Sequence, residues 1–249
     1  MDMTDSQNND KRVPWHVIFE NVTPHIVRIS TPRGSGTGFL LGRSPAGKFT
    51  GIATAAHVIN EAHLWHEPIR IEHISSGQVI FLEHGKRGIK VDQNFDAAAI
   101  AFDSSLLKDL PSTPIPLLPQ DKYLKIGNEV AWLGFPGNGM GNLCFFAGRV
   151  SSFLQKEQGY LLDGVIINGV SGGPVIANNF DGSFCFFGVV SAYRPNMNSG
   201  AALPGLGVAT SAANFYAALE ELNALKEFDT PPVPPVPSTN PTPEVAPKS

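Results

Sequence analysis

From Trp15 onward the chain is cut every few residues by Gly, Pro, Asn or Ser, and the text between the cuts is rich in β-branched and apolar residues. Strand-forming segments fall at residues 25–30, 38–41, 52–55, 69–73, 79–82 and 96–102, and again at 129–133, 143–153, 160–162, 174–177, 185–191 and 207–210. Many short strands with frequent turn signals predict an antiparallel sandwich or barrel. Between the two sets, residues 104–121 carry Pro111, Pro114, Pro116 and Pro119 in Leu-rich text. Proline gives no N–H to a ladder and breaks a helix interior, so this stretch reads as the crossover between two β halves. One segment reads as helix, residues 211–226, with Ser211 as cap and Phe215, Ala218, Leu219 and Leu222 at helical spacing.

A chain of 249 residues with 42% hydrophobic and 16% charged residues has room for one large all-β domain or two small ones. The net charge of −4 leaves no electrostatic footprint for nucleic acid or an anionic membrane. No apolar run approaches the roughly 20 residues of a membrane span. Residues 1–12 are polar, with no hydrophobic signal-peptide core, and read as disordered. Cys144 and Cys185 are too few for a disulfide framework, and each sits in an apolar run. They are expected as buried free thiols in a reducing, cytoplasmic compartment. Residues 228–249 form a Pro-rich tail with PxxP spacing that favours polyproline II. It reads as a flexible extension, with an SH3-like or other partner as the alternative.

Chemistry gathers at residues 168–176, Asn-Gly-Val-Ser-Gly-Gly-Pro-Val-Ile. Gly169, Gly172 and Gly173 surround Ser171 with residues that lack a β-carbon, which frees the backbone and leaves the hydroxyl accessible. Successive N–H groups in such a turn can converge on one point, as an oxyanion hole requires. An ordinary glycine turn is the plain alternative, and a base with its orienting acid decides between them. His57 ends a strand of small residues in Thr54-Ala55-Ala56-His57. Asp96 is the lone charge at the mouth of an apolar strand, where burial is costly unless its oxygens are hydrogen-bonded.

The order His57, Asp96, Ser171 is that of the chymotrypsin-type triad. Together with Gly34-Ser35-Gly36-Thr37-Gly38-Phe39-Leu40, Asp96-Ala97-Ala98-Ala99-Ile100, Gly134-Phe135-Pro136, Gly169-Val170-Ser171-Gly172-Gly173-Pro174 and Gly188-Val189-Val190-Ser191, it makes the chain resemble trypsin/chymotrypsin-fold serine peptidases. The bacterial trypsin-like and HtrA-type branch is the nearest. The resemblance spans roughly residues 14–226 and implies an all-β fold of two six-stranded antiparallel β-barrels with a C-terminal α-helix. The peptidase domain would cover residues 13–227, with barrel one at about 14–103 and barrel two at about 122–210. It also implies peptide-bond cleavage through an acyl-enzyme, with no cofactor or metal and with proteins or peptides as substrates. His57 would be the base, Asp96 its orienting acid and Ser171 the nucleophile. The N–H groups of Gly169 and Ser171 would bind the oxyanion, and Ser191 would support Asp96. The primary pocket would be lined by Val165, by Ser191, Ala192 and Tyr193, and by Gly207. None of these is charged, so small to medium apolar side chains are the expected preference. Asp163 lies at a spacing that HtrA-type sequences share without basic specificity.

Departures from the family pattern matter too. Val58 stands where secreted trypsins carry a disulfide cysteine, and Val170 where they carry the aspartate that pairs with a new N-terminus. Zymogen activation by that route is not expected, nor is regulation by a PDZ module within this chain. His63 and His66, with Glu61 and Glu67, make a possible metal cluster, but an exposed loop is the favoured reading. Residues 134–141 are glycine-rich without the Lys-Ser/Thr of a P-loop and read as a surface loop near the cleft. Two functions from different classes remain: an active endopeptidase, and a catalytically silent protease fold that binds partners, with the Pro-rich tail as a docking peptide. The intact triad and glycines favour the enzyme.

Overall fold

Alternating apolar residues and frequent turns build thirteen strands among the described residues. The computed structural model describes residues 11–137, 141–179, 181–195 and 202–224. The first half holds β1 (Ile26–Thr31), β2 (Gly34–Arg43), β3 (Phe49–Ala55), β4 (Ile69–His73), β5 (Gln78–Leu82), β6 (Arg87–Asp92) and β7 (Ala97–Asp103). They form one antiparallel sheet in the order β5-β4-β1-β2-β3-β7-β6. The second half holds β8 (Glu129–Gly134), β9 (Cys144–Leu154), β10 (Gly159–Asp163), β11 (Pro174–Asn178), β12 (Phe184–Pro195) and β13 (Ala202–Ser211). These close into a six-stranded barrel, β10-β13-β12-β11-β8-β9. The expected architecture of two barrel-like sheets and a C-terminal helix holds, with one correction. The first sheet has seven strands rather than six and runs open from β5 to β6. The additional strand is β6, whose apolar alternation at Ile89 and Val91 is broken up by Arg87, Gly88, Lys90 and Asp92.

Three apolar clusters hold these sheets. Val27, Ile29, Ile52, Ile71, Ile100 and Phe102 fill the first half. Trp132, Tyr160, Leu162, Val175, Phe187 and Val190 fill the barrel. A third cluster joins the halves through Phe39, Leu41, Leu133, Ile176, Phe186 and Phe215, with the Phe39 and Phe186 ring centroids 4.6 Å apart. Burying such side chains at about 25 cal/mol per Å² makes the interface between halves part of the core. Cys185 is buried, which pushes its thiol up to about 11, whereas Cys144 is half-buried; both are free.

The helices differ from the sequence expectation. The C-terminal segment begins as a 3-10 turn, Ala212–Phe215, and continues as the α-helix Tyr216–Ala224. Ser211 caps it, its hydroxyl accepting the Ala213 N–H at 3.2 Å. Residues 225 and 226, like the Pro-rich tail and residues 1–10, lie outside the described residues. Two further helices occur, α1 (Trp15–Val22) and α2 (Ala56–Leu64), with the C-terminal one as α3. In α1, Ile18 and Val22 stand one turn apart and bury into the cluster between halves. In α2, Ala56, Ile59 and Ala62 do the same against the first sheet. Their β-branched or small residues look strand-like locally, and packing of one face selects the helix instead. Among the described residues no helix is long and apolar enough to cross a membrane.

One buried group makes stability depend on pH. His25, 6% exposed, has no hydrogen-bond partner for Nδ1. Burial, and to a lesser extent neighbouring His73, lowers its pKa from 6.5 to about 4. The fold therefore favours the neutral ring, so this contribution is complete above the free value and is lost as pH falls from about 6.5 to about 4. The loss should amount to roughly 3 kcal/mol at most. Urea unfolding across that window should weaken the wild type more than His25→Leu; equal slopes would exclude His25 as the cause.

Candidate active site

The site begins where β3 hands over to α2. Helix α2 has Ala55 as N-cap residue and no side-chain cap of its own. The cap comes instead from the turn before β7: Asp96 Oδ1 accepts the His57 N–H at 2.9 Å, and the Asp96 carbonyl accepts the Ala56 N–H at 3.1 Å. A carboxylate is favoured at a helix N-terminus by the unpaired N–H groups and the dipole. Asp96 reaches this place from a left-handed backbone at φ 52, a conformation that Asp tolerates better than most residues. His57 is thus the second residue of α2, not the last of a strand.

The same carboxylate fixes the His57 ring. Nδ1 lies 2.9 Å from Oδ2 and 3.1 Å from Oδ1, and Ser191 Oγ donates to Oδ2 at 2.5 Å. Burial alone would raise the Asp96 pKa, but the hydrogen bond to His57, its charge and the Ser191 hydroxyl outweigh it and hold the carboxyl below its ordinary value. An ionised Asp96 can only accept, so Nδ1 is the donor of this contact and Nε2 is the ring nitrogen turned away from the carboxylate.

Ser171 comes from the loop before β11. Gly169 and Gly172 have φ of +89° and +85°, and a Cβ there would lie 2.2 Å from the Phe135 carbonyl and 2.0 Å from the Thr37 carbonyl. Neither position tolerates a side chain. The N–H groups of Val170, Gly172 and Gly173 donate to Ile167, Val190 and Val170 carbonyls. Those of Gly169 and Ser171 have no acceptor among the described residues. The Ser171 hydroxyl donates to the Ser191 carbonyl at 3.3 Å. His57, Ser171, Ser191, Ala192, Ile166, Ile167 and Asn168 line one cavity of about 200 Å³.

The sequence-predicted pocket residues are placed unevenly. Val165 is 51% exposed, and its carbonyl accepts the Trp132 indole N–H at 3.1 Å. Ile166, not singled out in the sequence, is the buried residue that faces the cavity and packs on Gly207, where a Cβ would lie 2.1 Å from Ile166 Cδ1. Tyr193 pairs with Gly207 through the backbone, and its side chain lies outside the described residues. Asp163 is exposed. His63 lies within α2 rather than in a loop, and His66 follows it, its ring stacked on His84 at 3.8 Å. Glu61 and Glu67 pair with Arg33 at 3.4 and 3.9 Å. Among the described residues no group of three or more His, Cys, Asp or Glu is arranged to hold a metal.

Thr37 is the positioning residue that sequence reasoning missed. Its hydroxyl donates to the Gly169 carbonyl at 2.8 Å and accepts the Phe135 N–H at 3.1 Å, and its own N–H donates to the Ser171 carbonyl at 2.8 Å. Only its place in Gly36-Thr37-Gly38 hinted at a constraint, since the flanking glycines admit a close neighbour.

Two barrel-like β-sheets with an Asp–His pair and a glycine-flanked serine between them define the chymotrypsin-like class of folds. The chain belongs to the trypsin-like peptidase domain family, whose model matches residues 36–184, more than half of the sequence. Among solved structures it is similar to Deg5, with TM-score 0.61 and 18% identity over 88% of this chain and 97% of that one. It is likewise similar to the serine endoprotease from Yersinia pestis, with TM-score 0.61 and 21% identity over 85% of this chain and 67% of that one. The inactive form of the Rv3671c protease from M. tuberculosis matches with TM-score 0.56 and 20% identity over 85% and 96% of the two chains. At these identities the likeness is one of fold. No curated protein sequence matches the chain significantly.

Thr37→Val removes the hydroxyl while keeping the shape. It leaves the buried Phe135 N–H unpaired, at about 1–3 kcal/mol, and takes the donor from the half-buried Gly169 carbonyl. Chemical denaturation should show that loss as a lower midpoint. An unchanged midpoint would show that the Ser171 loop holds its shape without this bond.

Proposed function

We propose that the chain is a serine endopeptidase that cleaves through an acyl-enzyme, with residues 13–227 as the working unit. The observation that carries the reading is the Asp96–His57 pair opening on the cavity that also holds Ser171. His57 Nε2 takes the Ser171 proton as the hydroxyl attacks the scissile carbonyl, then returns it to the leaving amine. Asp96 holds the ring in the required tautomer and stabilises the imidazolium. The Gly169 and Ser171 N–H groups receive the developing oxyanion, a role that their unpaired state favours. The hydroxyl must first leave the Ser191 carbonyl and rotate to His57; catalytic hydrogen bonds are often long in free enzymes and tighten with substrate.

A fluorophosphonate probe tests this directly. It should label the purified protein at Ser171 and leave Ser171→Ala unlabelled; labelling elsewhere, or none at all, would favour the silent binding fold. Ser171→Ala and His57→Ala should each abolish most hydrolysis, and the double variant should lose no more than either, because the residues act as a unit. Asp96→Asn turns an NH₂ toward Nδ1, favours the wrong tautomer and should cost on the order of 10⁴ in kcat.

Specificity follows from the cavity. Ile166 against Gly207 limits its depth, and among the described residues no Lys, Arg, Asp or Glu lines it, so a Lys or Arg substrate side chain would lose water and find no partner there. Small to medium apolar residues such as Val, Ala or Leu are the proposed preference before the cleaved bond. Ile166→Ala should shift a peptide library toward Leu and Phe. Dominant cleavage after Arg or Lys in the wild type would refute the pocket assignment.

A further inference from the structure

The loop that presents Ser171 contains a chemical weakness, and the fold fixes the glycine half of it. Asn168 is exposed, and its side chain has no hydrogen-bond partner among the described residues. It is followed by Gly169, which must remain glycine because a Cβ would lie 2.2 Å from the Phe135 carbonyl. A residue without a side chain leaves its own nitrogen unhindered, and the Gly169 N–H has no acceptor among the described residues to hold it away. The Asn168 carbonyl is tied to the Gly137 N–H at 2.7 Å, so the backbone there is anchored while Asn168 stays exposed and the Gly169 N–H unpaired.

We propose that Asn168–Gly169 is a deamidation site through which the cleft is irreversibly switched off with age. The Gly169 nitrogen, having given up its proton to solvent base, attacks Asn168 Cγ. A C–N bond forms, the carboxamide nitrogen leaves as ammonia, and a succinimide results. Water then opens the ring at either carbonyl, giving aspartate at 168 or an isoaspartate whose backbone is longer by one methylene. No oxidant, metal or cofactor takes part. Either product places a carboxylate on the cavity shared by His57 and Ser171, where it opposes an oxyanion. The isoaspartyl form also displaces the Gly169 N–H, a loss that for a single oxyanion donor costs on the order of 10²-fold or more in kcat. The effect on activity rests on the proposed oxyanion role of Gly169; the covalent change does not.

The test ages the full-length protein in mildly alkaline buffer at body temperature. Ser171→Ala is used for peptide mapping, so that self-cleavage cannot intervene, and the wild type for activity. The expected result is a growing fraction of peptides heavier by the difference between an oxygen and an NH group, with aspartate and isoaspartate at 168, and wild-type activity falling in proportion. Mapping separates this from the second Asn-Gly pair in the sequence, Asn138–Gly139, which lies outside the described residues. Asn168→Gln, whose longer side chain would have to close a larger ring, should keep its own starting activity over the same period. An Asn168 that survives ageing unchanged overturns the proposal whether or not the protein hydrolyses peptides. Equally fast decay of Asn168→Gln, or conversion without loss of activity, overturns the switch.

Discussion

The hydroxyl and backbone of Thr37 are the point on which the two halves of this protein meet. Thr37 sits in β2 of the first sheet and is fully buried. It bonds to Phe135, Gly169 and Ser171, all in the second half, while its carbonyl accepts the Thr54 hydroxyl at 2.7 Å. The Phe135 and Thr54 bonds are buried and the Gly169 bond half-buried, so losing Thr37 leaves polar groups unpaired on both sides of the stitch. The apolar cluster around Phe39 and Phe186 makes the halves adhere, but a non-directional force of that kind cannot fix a loop to within a fraction of an ångström. Directional bonds to Thr37 do, and the Ser171 loop inherits their precision.

Asp96 plays the complementary part on the other wall of the cleft. One carboxylate caps α2, orients the His57 ring and accepts the Ser191 hydroxyl. Desolvation works against its charge, and three donors overcome that cost. Because the cap and the ring contact are the same group, the start of α2 and the direction of the imidazole are set together. Ser191 extends this link into the barrel, since its hydroxyl touches Asp96 while its carbonyl receives the Ser171 hydroxyl. A positive-φ aspartate and two positive-φ glycines, all at this cleft, mark where the fold holds unusual backbone for the sake of the site.

The two halves reach these positions by different routes. The second closes its sheet and has no free edge, with Trp132 and Tyr160 filling the interior. The first is an open sheet closed off at its interior by aliphatic side chains and by α2. The first half brings His57 and Asp96 to the cleft from the start of α2 and the turn before β7, and the second half brings Ser171 and most of the cavity wall. That division places the three side chains on short turns and a helix start held by strands on both sides of one cleft.

The sequence by itself determined the β architecture in two halves, the C-terminal helix and the grouping of His57, Asp96 and Ser171. These are legible because period-two apolar patterning, proline punctuation and glycine at strained turns are local properties. The helices α1 and α2 were not legible, since β-branched and small residues suit either element and burial of one face decided between them, and β6 was missed because its alternation rests on Ile89 and Val91 alone. Only the tertiary structure showed that Ile166 rather than Val165 faces the cavity, because a one-residue change of register in a loop leaves no trace in composition. Likewise Thr37 acquires its role from partners roughly a hundred residues away in sequence. Contacts at that separation are specified by the packing of two sheets against each other, which no local pattern encodes.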